Sequence, residues 1–148
     1  MDPENTMLLR LVTPHGVAME EPANSVALWT SLGEIEVLRG HAPTVVLLQP
    51  GEMRVRLAKD DSERVFAAGE GFAQIDQTSV TVFSDMAADA DQITLEAEEQ
   101  AKSRAEKALA DARNMSEDER DAADLALRES LAKIQILLRR KGGRARSD

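Results

Sequence analysis

The chain changes its hydrophobic period once, after Met86. Before that point apolar and polar residues alternate in short runs. Met53, Val55 and Leu57 alternate with Arg54, Arg56 and Ala58, and Val80 and Val82 with Ser79, Thr81 and Phe83. A period of two sends successive side chains to opposite faces of a strand, so each run buries one face. Residues 8–12, 25–29, 44–48, 64–67 and 72–75 form further strand-length runs. Turn formers separate them: Thr13-Pro14-His15-Gly16, Glu21-Pro22, Pro50-Gly51, Lys59-Asp60-Asp61-Ser62, Gly69-Glu70-Gly71 and Asp76-Gln77-Thr78. Many short strands at close spacing, with no helix-length pattern between them, predict a β-sandwich or small barrel rather than a βαβ sheet.

After Met86 the period becomes helical. Residues 87–113 contain neither Gly nor Pro and are rich in Ala, Glu, Lys and Gln, all good helix formers. Asp89 or Asp91 reads as the N-cap. Ile93, Ala97, Ala101, Ala105, Leu109 and Ala112 fall on one stripe, mostly alanine, which permits close approach but buries little apolar area. Asn114-Met115-Ser116 interrupts the run, and Ser116-Glu117-Asp118-Glu119 matches a capping box. A second helix is predicted to about Arg140, with Ala123, Leu127, Leu131, Ile134 and Leu138 as its stripe. Gly142-Gly143 is its expected stop, and Arg139, Arg140 and Lys141 suit the negative end of the helix dipole. So short a connection makes the two helices an antiparallel hairpin. A lone hairpin with an alanine seam is only marginally stable, so it needs a docking partner. The pattern is compatible with a hairpin that switches partners and with one that is packed permanently.

Composition narrows the class. The 148 residues suit a small domain with an appendage: 7–86 as the β-domain, 87–140 as the hairpin, and 1–6 and 141–148 as flexible termini. At 43% hydrophobic and 3% aromatic, the core must be built from Val, Leu, Ile, Ala and Met. The absence of cysteine excludes disulfides and thiolate metal sites. No apolar run approaches the roughly 20 residues that span a bilayer, and the polar N-terminus does not read as a secretory signal. A net charge of −9 argues against general nucleic-acid binding. From Arg128 onward the sign reverses: seven basic and two acidic residues leave the remainder at −14. A basic tail on an acidic chain reads as a solvated end or as a surface for an acidic partner.

Little in the sequence points to catalysis. His15 and His41 are the only histidines, without the HxH or HxxxH spacing of a metal site. GxSxG is absent, and without cysteine there is no Cys–His pair. Gly69-Glu70-Gly71-Phe72 lacks the Lys-Ser/Thr of a phosphate loop and reads as a hairpin turn. Trp29 is either core or an exposed anchor.

Several ordered motifs together resemble the epsilon subunit of F-type ATP synthases. They are Gly33-Glu34-x-x-Val37-Leu38-x-Gly40-His41-Ala42-Pro43, Leu48-x-Pro50-Gly51, Phe66-Ala67-x-Gly69-x-Gly71-Phe72 and residues 79–85, followed by the charged hairpin. The resemblance implies a ten-stranded β-sandwich followed by a two-helix domain. It implies a non-catalytic rotor subunit that couples ion flow through the c-ring to rotation in the catalytic head. It also implies a peripheral position on the cytoplasmic face of an energy-transducing membrane, the bacterial plasma membrane foremost. The sandwich would bind the gamma subunit and the c-ring, the latter through a loop carrying Gly33, Glu34, Gly40 and His41. The hairpin would inhibit ATP hydrolysis by meeting the alpha and beta subunits, with Arg128, Lys133, Arg139, Arg140 and Lys141 as the matching cations. Four sites depart from the family: Trp29-Thr30 replaces Pro-Gly, Glu36 the second glycine, Arg39 the proline before Gly-His, and Gly69-Glu70-Gly71 the usual Gly-Gly before the aromatic. The family's ATP motif is degenerate at Ile93, Thr94 and Ala97, which predicts weak or absent ATP binding and no other cofactor. Two readings compete with the rotor subunit. One is a stand-alone interaction module for another assembly; the other is a metal hydrolase using His15 and His41.

Overall fold

The alternating runs form nine strands within residues 4–146, which the computed structural model describes (side chains of residue 112 and residues 141–146 excepted). They are β1 (Met7–Thr13), β2 (Gly16–Thr30), β3 (Gly33–Val37), β4 (Thr44–Leu48) and β5 (Gly51–Leu57), then β6 (Glu63–Ala68), β7 (Gly71–Ile75), β8 (Ser79–Ser84) and β9 (Ala87–Asp89). All neighbours pair antiparallel except β1 and β8, which run parallel. Nine strands, rather than the expected ten, suffice because β2 serves twice. Its first half pairs with β1, and its second half with β3 and β5. One layer is therefore β2–β1–β8–β7–β4 and the other β3–β2–β5–β6–β9. The change of layer falls at Ala23, which pairs with both Met7 and Leu57, and the register shifts between Ala23 and Ser25.

Two turn assignments change. Glu21-Pro22 lies inside β2, where Pro22 pairs with Leu8 and its carbonyl accepts the Ala58 N–H at 3.1 Å. Proline is tolerated there because the strand is leaving one ladder for another. Gly69-Glu70 connects β6 in one layer to β7 in the other, so it is a crossover and not a hairpin turn.

The inward residues of both layers make one core. Met7, Leu9 and Leu11 meet Val26, Leu28, Met53, Val55, Val80 and Val82, all essentially inaccessible. Each such aliphatic side chain contributes about 1.5–3 kcal/mol on burial. Trp29 is half-buried and packs on Gly51, whose missing side chain makes room: a Cβ there would lie 2.9 Å from the indole.

The chain divides into two units, Met1–Ala90 and Asp91–Asp148. The first ends four residues beyond the expected boundary at Met86. The reason is β9, which extends the second layer by pairing with β6, and whose end is held by the Ala90 N–H to Val65 O at 2.8 Å.

The second unit holds α1 (Leu95–Ala110), a 3-10 turn (Ala112–Asn114) and α2 (Glu117–Arg146). The α1 N-cap is Thr94, whose hydroxyl accepts from the Ala97 N–H, rather than Asp89 or Asp91. Asp89 belongs to β9 and Asp91 pairs with Arg140, so neither is available as a cap. Ser116 caps α2 as expected, accepting from the Glu119 N–H at 3.2 Å. The helix passes through Gly142 and Gly143, its expected stop, to Arg146. Glycine costs a helix about 1 kcal/mol relative to alanine but, unlike proline, keeps its N–H donor. Residues 1–3 and 147–148, also expected to be flexible, lie outside the described residues.

Candidate docking surfaces

The two outer faces of the sandwich differ in chemistry. Across the first layer, direct cross-strand partners place Leu47, Phe72, Phe83, Val12 and Val17 in one row. Phe72 and Phe83 stack with centroids 4.8 Å apart. A shallow hollow of about 320 Å³ opens beside them, lined in part by Val12, Pro14, Phe72 and Phe83. Val45 lies in the next row of the same face and Leu8 in the row beyond it. Among the described residues, five of the first unit's seven exposed large apolar side chains are on this face: Leu8, Val17, Val45, Leu47 and Phe72. Leu47 is 67% exposed and Val45 65%, and it is their contiguity with the rest of this face that marks an interaction surface. The charged pair in this face, Arg10–Glu20, is matched across the β1–β2 ladder at 2.9 Å.

The outer face of the second layer is charged. Glu34 and Arg54 form an ion pair, and Arg56 reaches Asp61 and Glu63. Ser25 and Ala27 are small and buried beneath these side chains. Glu36, which replaces the family's second glycine, pairs with Ala27 in the regular β3–β2 ladder and faces outward. No glycine-specific backbone is needed there.

The motif residues of the first unit do not form one loop. Gly33 and Glu34 open β3 next to the Ser31-Leu32 hairpin tip. Gly40 and His41 follow its other end. Five strand residues, roughly 15 Å, separate the two turns. Both turns are tightly held. At the first, the Thr30 hydroxyl donates to Gly33 O at 2.6 Å and accepts from the Leu32 N–H, leaving Leu32 98% exposed. At the second, the His41 N–H donates to Leu38 O, and Gly40 has φ +88°. That is the geometry of a type II turn, which calls for glycine at its third position and favours proline at its second. Here the second position is Arg39, whose guanidinium instead donates to Thr6 O at 3.0 Å. The Gly40 N–H adds a bond to Gln77 O at 2.7 Å. The His41 ring lies 2.8 Å, through Nδ1, from Ala42 O. His15 sits in the β1–β2 turn, at the end of the sandwich opposite His41, so the two imidazoles cannot share an ion. Among the described residues no group of three His, Cys, Asp or Glu side chains is placed to hold a metal.

In the hairpin most nominated cations have intramolecular partners. Lys133 faces Glu98 across the hairpin at 3.8 Å, and Arg140 faces Asp91 at 3.5 Å. Arg128 pairs with Asp124 one turn away. Arg139 is exposed on α2; the Lys141 side chain lies outside the described residues. The α1 stripe holds at Ala101, Ala105 and Leu109, but Ala97 is exposed; the Ala112 side chain lies outside the described residues. In α2, Ser130 and Ile136 are buried, whereas Leu131 and Leu138 turn outward, 44% and 52% exposed. This rotation of α2 also brings Lys133 to face Glu98. An apolar stripe read from the sequence could not reveal it.

A sandwich with one apolar and one charged outer face, followed by a helical hairpin, defines the class: a β-sandwich protein with an appended two-helix unit. Known proteins agree. The family model for ATP synthase, Delta/Epsilon chain, beta-sandwich domain matches residues 6–90. The ATP synthase epsilon chain of Nostoc punctiforme is 32% identical over 133 residues, 88% of this chain and 95% of its own length. That of Staphylococcus saprophyticus is 35% identical over 135 residues, 89% and 96% of the two lengths. A chain in the mitochondrial ATP synthase of Euglena gracilis shares the fold, with a TM-score of 0.62 at 23% identity over 88% of this chain and 79% of its own. The chain belongs to the epsilon-chain family of ATP synthases. It is a non-catalytic central-stalk subunit of the F-type enzyme, peripheral, with no helix among the described residues long and apolar enough to cross a membrane.

Proposed function

We propose that the apolar outer face of the first layer is the surface that seats this subunit on the gamma subunit of the rotor. The observation that carries this is the row Leu47–Phe72–Phe83–Val12–Val17, continuous over five strand positions and set against a charged opposite face. Burying such a row against a partner removes apolar surface from water at about 25 cal/mol per Å². The Ser31-Leu32-Gly33-Glu34 tip then meets the c-ring, supported by its hydrogen bonding and by the 98% exposure of Leu32. Gly40 and His41, at the other end of β3, brace the sandwich instead. The subunit works at the cytoplasmic face of the coupling membrane and transmits the ring's rotation to gamma. Its hairpin restrains ATP hydrolysis when it engages the alpha and beta subunits.

Binding to the purified gamma subunit tests the main assignment. Leu47→Asp combined with Phe72→Ser should weaken it at least tenfold, while Glu52→Lys on the opposite face leaves it unchanged. Equal loss in both, or in neither, would reject the apolar face as the seat. A thermal melt of each variant controls for folding. ATP at millimolar concentration should leave the amide resonances of residues 93–98 in place, since Thr94 is committed to its cap and Ala97 offers no cation.

A further inference from the structure

A second hollow opens on the outer face of the first layer, beside the apolar row and toward the end of the sandwich that carries Gly40 and His41. Its volume is about 470 Å³, and it lies between the start of β4 and the β7–β8 turn. Cross-strand pairing sets Val45, Gln74 and Thr81 side by side, one row along from Leu47, Phe72 and Phe83. Asp76 and Ser79 close the hollow at the turn, and Pro43 walls it at β4. Its chemistry differs from that of the row. Pro43 and Val45 offer apolar surface, whereas the other four offer oxygen acceptors. One carboxylate oxygen of Asp76 takes the Gln77 N–H at 2.7 Å, and no Lys or Arg among the described residues pairs with this carboxylate. The side chains of Gln74, Ser79 and Thr81 have no bonding partner among the described residues either. Arg10 and Glu20, the charged pair of this face, neutralise each other, which leaves Asp76 without an offsetting cation.

We infer that this hollow is a socket for a long basic side chain, lysine or arginine, of the partner seated on the adjoining row. Such a side chain matches it along its length. The methylene stem lies on Pro43 and Val45, and the cationic head meets Asp76 among the oxygens of Gln74, Ser79 and Thr81. Apolar burial is non-directional, so the row alone holds a partner without fixing its orientation. A charge set to one side of the row fixes it. The inference rests on the apolar face being the seat of the gamma subunit, and it adds which kind of gamma residue must flank the apolar contact.

Binding of the full chain to the purified gamma subunit, at low and high salt (about 0.05 and 0.5 M), tests the socket. Asp76→Asn keeps an acceptor for the Gln77 N–H and removes the charge. It should weaken binding about fivefold at low salt and leave it unchanged at high salt, where an exposed pair is screened. Thr81→Arg puts a guanidinium of the chain's own into the hollow and should weaken binding at least about tenfold at both. Thermal melts that match the parent show the turn and sheet to be intact; should Thr81→Arg melt lower, Asp76→Asn alone decides. Parent-like binding by Asp76→Asn at low salt, or a loss that persists at high salt, overturns the socket. So does full binding by a folded Thr81→Arg chain. The chain carrying Leu47→Asp and Phe72→Ser separates the two readings. If it loses binding while Asp76→Asn and Thr81→Arg keep it, the seat stands and the socket fails. If it binds like the parent, the seat fails and the socket with it.

Discussion

Single residues carry constraints that their types only hint at. A Cβ on Gly71 would fall 1.8 Å from the Phe83 carbonyl oxygen, which is backbone and cannot rotate away. Gly71→Ala should therefore destabilise the first unit by on the order of 3 kcal/mol, read by urea unfolding. Gly69 meets the Asp85 side chain instead, which can move, so its alanine variant should cost less. Asp60 accepts bonds from the Ser62 hydroxyl and N–H, and these hold its carboxyl below the ordinary carboxylate range. A depressed folded pKa stabilises above the unfolded value and is lost as pH falls through the folded one. Ser62→Ala should move the Asp60 titration upward, as NMR would show. Arg39 shows how a family departure is absorbed: the turn keeps its glycine, and a guanidinium tether replaces proline's fixed φ.

At the scale of elements, β9 is the least expected feature and the most informative about domain limits. Three residues pair with β6, reinforced by the Arg64–Asp89 ion pair at 2.8 Å and by Arg64 lying over the Phe66 ring. Asp89→Ala should speed amide exchange across residues 87–90 while shifting global stability by about 1 kcal/mol or less, because the pair is partly exposed. Most strands were legible, since period-two runs state which residues are inward. They do not state the partner. Of the fifteen-residue β2 that changes layers, only residues 25–29 read as a strand from the sequence, and Glu21-Pro22 reads as a turn. The α2 stripe was misread for a related reason. Residues 127, 131, 134 and 138 fit a helical face, yet packing in the hairpin buries Ser130 and Ile136 and leaves Leu131 and Leu138 outward. Leu131→Gln should accordingly cost the isolated chain less than about 0.5 kcal/mol.

For the whole molecule, the unit boundary predicts truncation behaviour. A chain ending at Ala90 should melt cooperatively, whereas one ending at Met86 lacks β9 and the Ala90–Val65 bond and should melt several degrees lower. Calorimetry separates the two. The sequence by itself determined the class: the single change of period set sandwich before hairpin, and the ordered turn motifs identified the family. Both are local properties, written in neighbouring residues. Tertiary structure decided what those residues can touch. It placed Gly33 and Gly40 at opposite ends of β3, aligned five distant segments into one apolar row, and turned Lys133 toward Glu98 of α1 and Arg140 toward Asp91 in the turn before it. Each of these depends on register between segments far apart in the chain. Register is settled by the balance of burial and charge over the whole fold, which no local pattern contains.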